Sequence, residues 1–470
     1  MSDLLAILSQ GAASLAAQRA AAATASHNLQ NANTPGYARQ RAVISATLPA
    51  DRSGNAWIGR GALLQTVTQA RDRFLEAQIP AQLGQAARSG STSMTLGSVS
   101  ALDPAAAGNL QDALSRFYGA LRGAAASPAD PGLRQAAVSA SRTLALTFQR
   151  TRAGLEEARA GVDASLAGSV VEVNGLARQV ADLNGQVRAA RAIGGAEPND
   201  LLDARQKAVD RLAELTGVAP VPTSEGDVSL FLPGGSSLVS GLQASAFSTV
   251  SDPANDGHLA LRLAGPNGAV QAFTGIGGEL GGALDARDGA LRAAVTGVDT
   301  LAWDLASGVN AVHQAGFGLD GTTGDQLFAP GATLAGAASR ISLNAAVAAD
   351  PRRLAAAGAA TSPTSAAPGD AAGLQRLIAT ERAALSNGLD AFAGLAKVTS
   401  DFGAAASSAS ALAEHDLGMK DNLVRLRESV SGVSIDEEMI ELQKAQKAFE
   451  AISKVLQVSS EMFDTLLQLK

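Results

Sequence analysis

The sequence predicts a mainly α chain of more than one folding unit, interrupted by a β-rich insert. Three observations predict it. The chain has 470 residues, beyond the ~250–300 at which single cores stop growing. Apolar residues make up 46% but aromatics only 3%, and 49 glycines accompany them. Ala, Val and Leu therefore carry the apolar share, which suits long helices in thin side-by-side contact. Apolar residues also recur every seven positions in several stretches, against a period of two between residues 217 and 275.

Residues 1–30 read as a helix, with Leu8, Leu15, Ala22 and Leu29 seven apart and Leu4, Leu5, Ile7 and Ala12 widening the stripe. It should stop in Asn31-Ala32-Asn33-Thr34-Pro35-Gly36-Tyr37, because Pro35 disfavours helix at Thr34 and Pro-Gly is a turn signal. The stretch to about residue 67 reads as extended. Residues 132–192 hold the longest helical signal, with one seam at Val162, Ser169, Leu176 and Leu183 and a second at Leu166, Val173, Val180 and Val187. Gly154, Gly161, Gly168 and Gly175 are themselves seven apart, which predicts a face for close approach by a neighbouring helix.

From Gly217 to about 275 come short runs at Val228–Leu232, Ser237–Val239, His258–Leu263 and Ala269–Phe273, bounded by turn residues. Their patterning predicts a peripheral, separable insert. Helix resumes from about 281 to 315 on Leu284, Leu291, Val298 and Leu305. Residues 316–370 read as loop, with a Ser/Pro/Ala/Gly linker at 361–370, and helix dominates from 371. Ile435, Leu442, Phe449, Leu456 and Phe463 recur every seven residues near the end, flanked by Met439, Ile452, Met462 and Leu466. Ser434 and Glu437 form a capping box, and Asp436, Glu437 and Glu438 suit a helix start. Both termini thus present apolar seams, whose partner is either the chain's own body or other subunits. Lone helices of this length are marginal in water, so the ends of an isolated subunit are expected to be mobile.

The net charge of −7 argues against nucleic-acid binding, which needs a basic face. With no cysteine, disulfides, thiol catalysis and thiolate metal sites are absent. No apolar run reaches the ~18 residues of a bilayer span, so no membrane insertion is expected. The start carries Asp3 where a signal peptide is cationic, and Gln10, Gly11 and Ser14 interrupt its apolar part. Export, if it occurs, should proceed without a cleaved signal.

No catalytic constellation emerges. His27, His258, His313 and His415 lack metal-ligand spacing, and neither a nucleophile elbow nor a phosphate-binding loop occurs. His258, following Asp252 and Asp256, reads as part of a polar hairpin loop rather than a cation site. Gly275-Ile276-Gly277-Gly278 reads as a loop and helix start, since Leu280 stands where a dinucleotide motif needs glycine. Asp285, Arg287 and Asp288 read as surface charges, as do Asp203, Arg205, Asp210 and Arg211. The expectation is no enzyme activity and no cofactor or metal.

Several segments are recognisable in order. His27-Asn28-Leu29-Gln30-Asn31-Ala32-Asn33-Thr34-Pro35-Gly36-Tyr37-Ala38-Arg39-Gln40 resembles the N-terminal motif of flagellar rod, hook and hook-associated proteins. Asn199-Asp200-Leu201-Leu202-Asp203-Ala204-Arg205, Gly277 to Asp288, Asn310 to Phe317 with Gly321 to Phe328, and Pro368-Gly369-Asp370 are similar to segments of the hook-associated protein 1 (FlgK) family. Ser431-Gly432-Val433-Ser434-Ile435-Asp436-Glu437-Glu438-Met439 looks like that family's C-terminal motif. The β insert is brief, so a further outer domain of longer relatives is expected to be missing.

The resemblance implies an elongated multi-domain rod, its N- and C-terminal helices paired as a coiled-coil-like layer around a discontinuous helical bundle. Its parts would be a terminal segment (1–67), a bundle (68–216 and 276–430), a β-rich outer domain (217–275) and a C-terminal assembly helix (431–470). It implies a structural subunit joining hook to filament outside the cell, polymerising with itself. Hook protein would lie on one side and the second junction protein or filament on the other. Export would be type III, with a cytoplasmic chaperone on the C-terminal helix. The expected assembly residues are Leu8, Leu15, Leu29, Asn31, Pro35, Gly36, Tyr37, Ile435, Met439, Leu442, Phe449, Ile452, Leu456, Phe463 and Leu466. The alternatives are another axial protein (hook, rod or second junction protein) or, in a different class, a flagellar adhesin or peptidoglycan-processing enzyme.

Overall fold

The structure, a computed structural model, describes residues 2–47, 51–53, 56–58, 61–194, 197–362 and 365–468; for 2–6, 51–53, 56–58, 360–362, 365 and 466–467 it gives the backbone course alone. It is mainly α with small sheets. Helix α1 (Ser2–Gln30) leads into β1 (Gln40–Ala46), a β2–β3 hairpin (Asp51–Ser53, Ala56–Ile58) and β4 (Ala62–Gln69), which pairs antiparallel with β1. The body begins with α2 (Arg73–Gly97), α3 (Leu110–Ala126), α4 (Pro131–Ile193) and α5 (Asn199–Thr216).

Asp130 and Pro131 explain where α4 begins. The Asp130 carboxylate accepts from the Leu133 N–H, and Pro131 fills the first helical position, where no N–H is needed. Its 63 residues make a spine about 95 Å long. The seam Leu166, Val173, Val180 and Val187 is fully buried along it. The glycine face is not packed. A Cβ placed on Gly161, Gly168 or Gly175 meets nothing within 4 Å, because the seam draws every packed element to the other side of α4. Gly154 faces Ala101, and Gly185 faces Leu242.

Strands β5 (Ala219–Pro222), β6 (Val228–Phe231), β7 (Ser237–Ser240) and β8 (Gln243–Ala244) form a four-stranded meander. Strands β9 (Ala246–Ser251), β10 (Leu259–Ala264) and β11 (Val270–Phe273) form a three-stranded antiparallel sheet. Neither sheet has a core of its own. Leu230, Leu238, Val239, Phe247, Leu261 and Leu263 share one buried cluster with Val173, Ala177 and Val180 of α4 and Val209 and Leu212 of α5. The expectation of a separable insert is therefore corrected: the strands roof one half of the spine, and without them that half would face water.

Helix α6 (Gly278–Ala286) passes through a π-helical turn (Arg287–Leu291) into α7 (Arg292–Gln314). The stretch expected to be loop instead carries core. It contains β12 (Phe328–Ala329), α8 (Ala337–Arg340), β13 (Ser342–Leu343), α9 (Ala345–Ala349) and a β14–β15 pair (Ala360–Ser362, Ser365–Ala366). Leu327, Phe328, Ile341 and Leu354 of this stretch are buried with α3, α7 and the first half of α4. Asn310 of α7 holds it there: its Oδ1 accepts from the Leu327 and Phe328 N–H groups and its Nδ2 donates to Phe328 O. Helix α10 (Ala372–Ala379) and the long α11 (Ala391–Ser431) and α12 (Ile435–Gln468) complete the chain.

The two cores meet on α4 between Leu155 and Leu166, and a polar cluster separates them. His258 lies 2.7 Å from Glu156 through Nε2 and 2.7 Å from Asp163 through Nδ1. Buried Arg159 reaches Asn255 and Asp256, and buried Arg287 reaches Asp163, Asp288 and the Leu259 carbonyl. His258 lies in the β9–β10 hairpin connection, as read from sequence, and is buried there. One reading is corrected: Arg287 is not a surface charge. The π turn brings Arg287 and Asp288 to the β9–β10 loop and α4, which a one-dimensional charge pattern does not reveal. Arg205 is likewise buried, donating to Asn184 Oδ1 and Gly226 O.

Candidate assembly surface

Helices α1 and α12 pack on each other along most of their lengths. Asn28 of α1 faces Glu438 of α12, and Gly11 faces Leu456. Residue numbers rise along one helix as they fall along the other, so the pair is antiparallel and both chain ends lie together. α1 is alanine-rich, which allows close approach. A Cβ on Gly11 would overlap the Leu456 side chain, so any larger residue there would have to displace Leu456.

At the other end of the pair the two terminal motifs interlock. The Asn28 Oδ1 accepts from the Gln40 N–H at 2.9 Å and from the Tyr37 hydroxyl at 2.7 Å. Its Nδ2 donates to Gln40 O at 2.8 Å and to Glu438 Oε2 at 2.9 Å. Glu438, 2% exposed, also accepts from Arg39 Nε at 2.6 Å, while Arg39 Nη1 reaches Glu437 and the Arg39 N–H reaches Ser431 O. Every polar atom of the Asn28 side chain is thus used, the condition for burying an amide without large cost. The turn that makes this possible is Thr34-Pro35-Gly36-Tyr37, with Gly36 at φ +83°, a conformation that favours glycine. Burial, with Asp200, Asp203 and Glu438 nearby, pushes the Tyr37 hydroxyl up, so it stays a proton donor.

The Asn199–Arg205 segment joins the same junction. Gln40 Nε2 donates to Asp200 at 3.0 Å, and Gln69 Nε2 donates to Asp203 at 2.8 Å and to the Asn199 carbonyl at 2.9 Å. Arg71 bridges Asp203 and Glu76, and Arg427 of α11 pairs with Asp210 at 3.0 Å. Burial raises the carboxyls of Glu76, Asp203 and Asp210 despite these arginines. Asp203 and Asp210, read from sequence as surface charges, tie α5 to the terminal segments; Arg211 is the outward one, pairing with Glu172.

The expected assembly residues divide. Leu8, Leu15, Leu29 and Asn31 are half-buried on or beside α1, and Tyr37 is half-buried at the junction, while Pro35 and Gly36 are exposed. On α12, Leu442, Ile452, Leu456 and Phe463 are half-buried toward α1. Ile435, Met439 and Phe449 are 52%, 45% and 38% exposed, and the Leu466 side chain lies outside the described residues. The seven-residue stripe splits because a helix of 3.6 residues per turn drifts off a straight seam, and slim α1 covers only a narrow strip. Ile440, Val455, Val458 and Met462 are exposed too, on the face of α12 opposite Ile435, Met439 and Phe449. The sequence reading missed Asn28, Arg39, Gln40 and Glu438. Glu438 lies in the first turn of α12, as read, and is also the buried acceptor of Asn28 and Arg39.

Elsewhere, a groove of about 840 Å³ between α7 and α11 is lined mostly by Ala, Gly, Leu and Val with scattered charges. Among the described residues, no cluster of His, Asp and Glu could hold a metal ion, and no helix is long and apolar enough to cross a membrane.

Comparison with known proteins decides what these motifs belong to. Residues 100–328 match the family model of the flagellar hook-associated protein FlgK helical domain. A flagellar hook-associated protein 1 from Bacillus subtilis is 26% identical, with 96% of each chain covered. The chain resembles FlgK proteins along most of its length. Residues 428–469 match the C-terminal model of flagellar basal body rod FlgEFG proteins. The Salmonella typhimurium flagellar hook-associated protein 1 is 28% identical over 329 residues, covering 69% of this chain but 59% of that one. The match thus spans well under two thirds of that relative's length. The flagellar hook junction protein FlgK from Burkholderia pseudomallei has the same fold over 76% of this chain and all of that one, with a TM-score of 0.68 at 19% identity.

Proposed function

We propose that this chain is a structural subunit that polymerises at the hook–filament junction and connects hook to filament. One observation carries the reading. Asn28 and Arg39 of the N-terminal motif meet Glu438 of the C-terminal motif, and Ala38 and Gln40 beside them meet the Asn199–Arg205 segment, which fixes the α1–α12 pair as one element that still exposes apolar residues. A helix pair that is locked within the subunit yet exposes Ile435, Met439, Ile440, Phe449, Val455, Val458 and Met462 is suited to packing against copies of itself.

In this reading residues 1–67 and 431–470 form the assembly element. The bundle of 68–216 and 276–430 surrounds it, and 217–275 faces outward. The subunit leaves the cell through the flagellar type III apparatus, with a chaperone shielding α12 beforehand. Hook protein abuts one side, and the second junction protein or filament the other. The family's structural character supports a role without catalysis. The rod-type C-terminal match would also suit another axial protein, but the FlgK helical-domain match over 100–328 favours the junction.

Deleting the chain tests the proposal. Cells should build hooks and release filament protein into the medium, and restoring the chain should restore attached filaments. Filaments retained on deleted cells would overturn it. Release of reducing sugar from cell-wall material by the purified chain would favour the enzymatic alternative.

A further inference from the structure

The apolar contacts between α1 and α12 do not by themselves select one alignment. Positions 12, 13, 16, 17, 20, 21, 22, 23 and 25 of α1 are all alanine, and the apolar residues of α12 repeat every seven. Sliding one helix past the other by a heptad would lay similar surfaces together. Two contacts break this degeneracy. One is steric: Leu456 sits over Gly11, and a heptad shift would set it on Gln18 or Leu4. The other is polar: Glu438 is buried between Asn28 and Arg39, at 2.9 and 2.6 Å. Any slip would take the Glu438 carboxylate from its donors and leave Asn28 Nδ2 with Gln40 O as its one remaining acceptor, which a packed helix pair tolerates poorly.

We propose that Glu438 is the residue that determines the register of the terminal helix pair, acting through Asn28 and Arg39 as a polar key, much as one buried polar residue fixes the alignment of a coiled coil. Arg39 and Asn28 lie at the end of α1 and in the turn after it, and the Arg39 N–H is held by Ser431 O. The key therefore sets the alignment from the point where α12 leaves α11. Gly11 accommodates that alignment further along. The inference concerns the isolated subunit and does not depend on what the subunit assembles with.

The cysteine-free sequence makes a direct test possible with the full-length protein. Gln18 and Ala448 line the same groove between the two helices, and Val455 lies one heptad further along α12. One pair of substitutions, Gln18→Cys with Ala448→Cys, reports the native register. The other, Gln18→Cys with Val455→Cys, reports the shifted one. Each is oxidised in the otherwise native chain and in Arg39→Leu/Glu438→Leu, which removes both charges and so leaves neither buried alone. The native chain should form the first disulfide only. The double variant should stay helical and raise the shifted-to-native ratio by about tenfold or more, the order expected from losing a charge-assisted hydrogen bond. Retention of the native disulfide alone would show that packing and Gly11 set the register and would overturn the proposal. Loss of both disulfides, with or without loss of helicity, would make Glu438 necessary for pairing as such and would overturn it equally.

Discussion

Asn28 and Glu438, 410 positions apart in sequence, are joined side chain to side chain at 2.9 Å inside the protein. That bond closes the chain on itself: the first helix and the last become one antiparallel element, and the body hangs between them. Because Asn28 also pairs with both backbone groups of Gln40, the same amide holds the turn after α1 and the start of α12.

Replacing Asn28 with alanine should therefore act at a distance. It leaves Glu438 and the Gln40 backbone short of partners, a cost of about 1–3 kcal/mol. The expected outcome is an earlier unfolding step for α12, read as faster proteolysis within residues 440–468, with the melting of the body unchanged. A uniform loss of stability across the molecule would contradict it.

The two phenylalanines of α12 should behave differently. Phe449 is 38% exposed, whereas Phe463 is half-buried toward α1. Phe449→Glu should leave monomer melting within about 0.5 kcal/mol of the parent and abolish retained filaments. Phe463→Glu should already loosen the α1–α12 pair in the monomer. Secreted protein must be measured in both strains, since loss of secretion would move the role of these residues to export.

Removing the strands should not yield a clean helical protein. Deleting residues 220–272 uncovers Val173, Ala177, Val180, Val209 and Leu212, and large apolar side chains lose ~1.5–3 kcal/mol each on exposure. Strong binding of a hydrophobic dye and a broadened melt are expected. Cooperative melting like that of the parent would show that α4 and α5 can do without their roof.

Acid should reveal His313. It is 1% exposed, with Nδ1 2.7 Å from the Asp325 carbonyl and Nε2 accepting the Ala355 N–H at 3.1 Å. That arrangement needs the neutral ring, and burial holds its pKa below the ordinary 6.5. The unfolded chain therefore binds the extra proton first. The stability this histidine contributes is complete above about pH 6.5 and is lost as pH falls below it toward the lower folded value. Glu76, Asp203 and Asp210, raised by burial, act in the opposite sense at lower pH. A comparison of parent with His313→Gln between about pH 8 and pH 5 isolates the histidine. The stability difference between them should shrink on acidification, and a constant difference would contradict the neutral ring.

Much of this architecture was legible in one dimension. The heptads of α4, the Pro-Gly turn after α1 and the alternation of Leu259, Leu261 and Leu263 are local patterns, and local patterns survive without a partner. What escaped was long-range. Glu438 resembles any acidic residue at a helix start, and His258 any residue in a polar loop, until the segments that bury them arrive from 400 and about 100 positions away. The glycines of α4 misled for the same reason: a seven-residue spacing gives a face but not which face the rest of the chain will choose.

The most direct test of the whole account is where the protein sits. Immunogold labelling of purified hook–filament preparations, with antibodies against residues 217–275, should place label in a narrow band between hook and filament. Label spread along the hook, along the filament or confined to the basal rod would contradict a junction subunit.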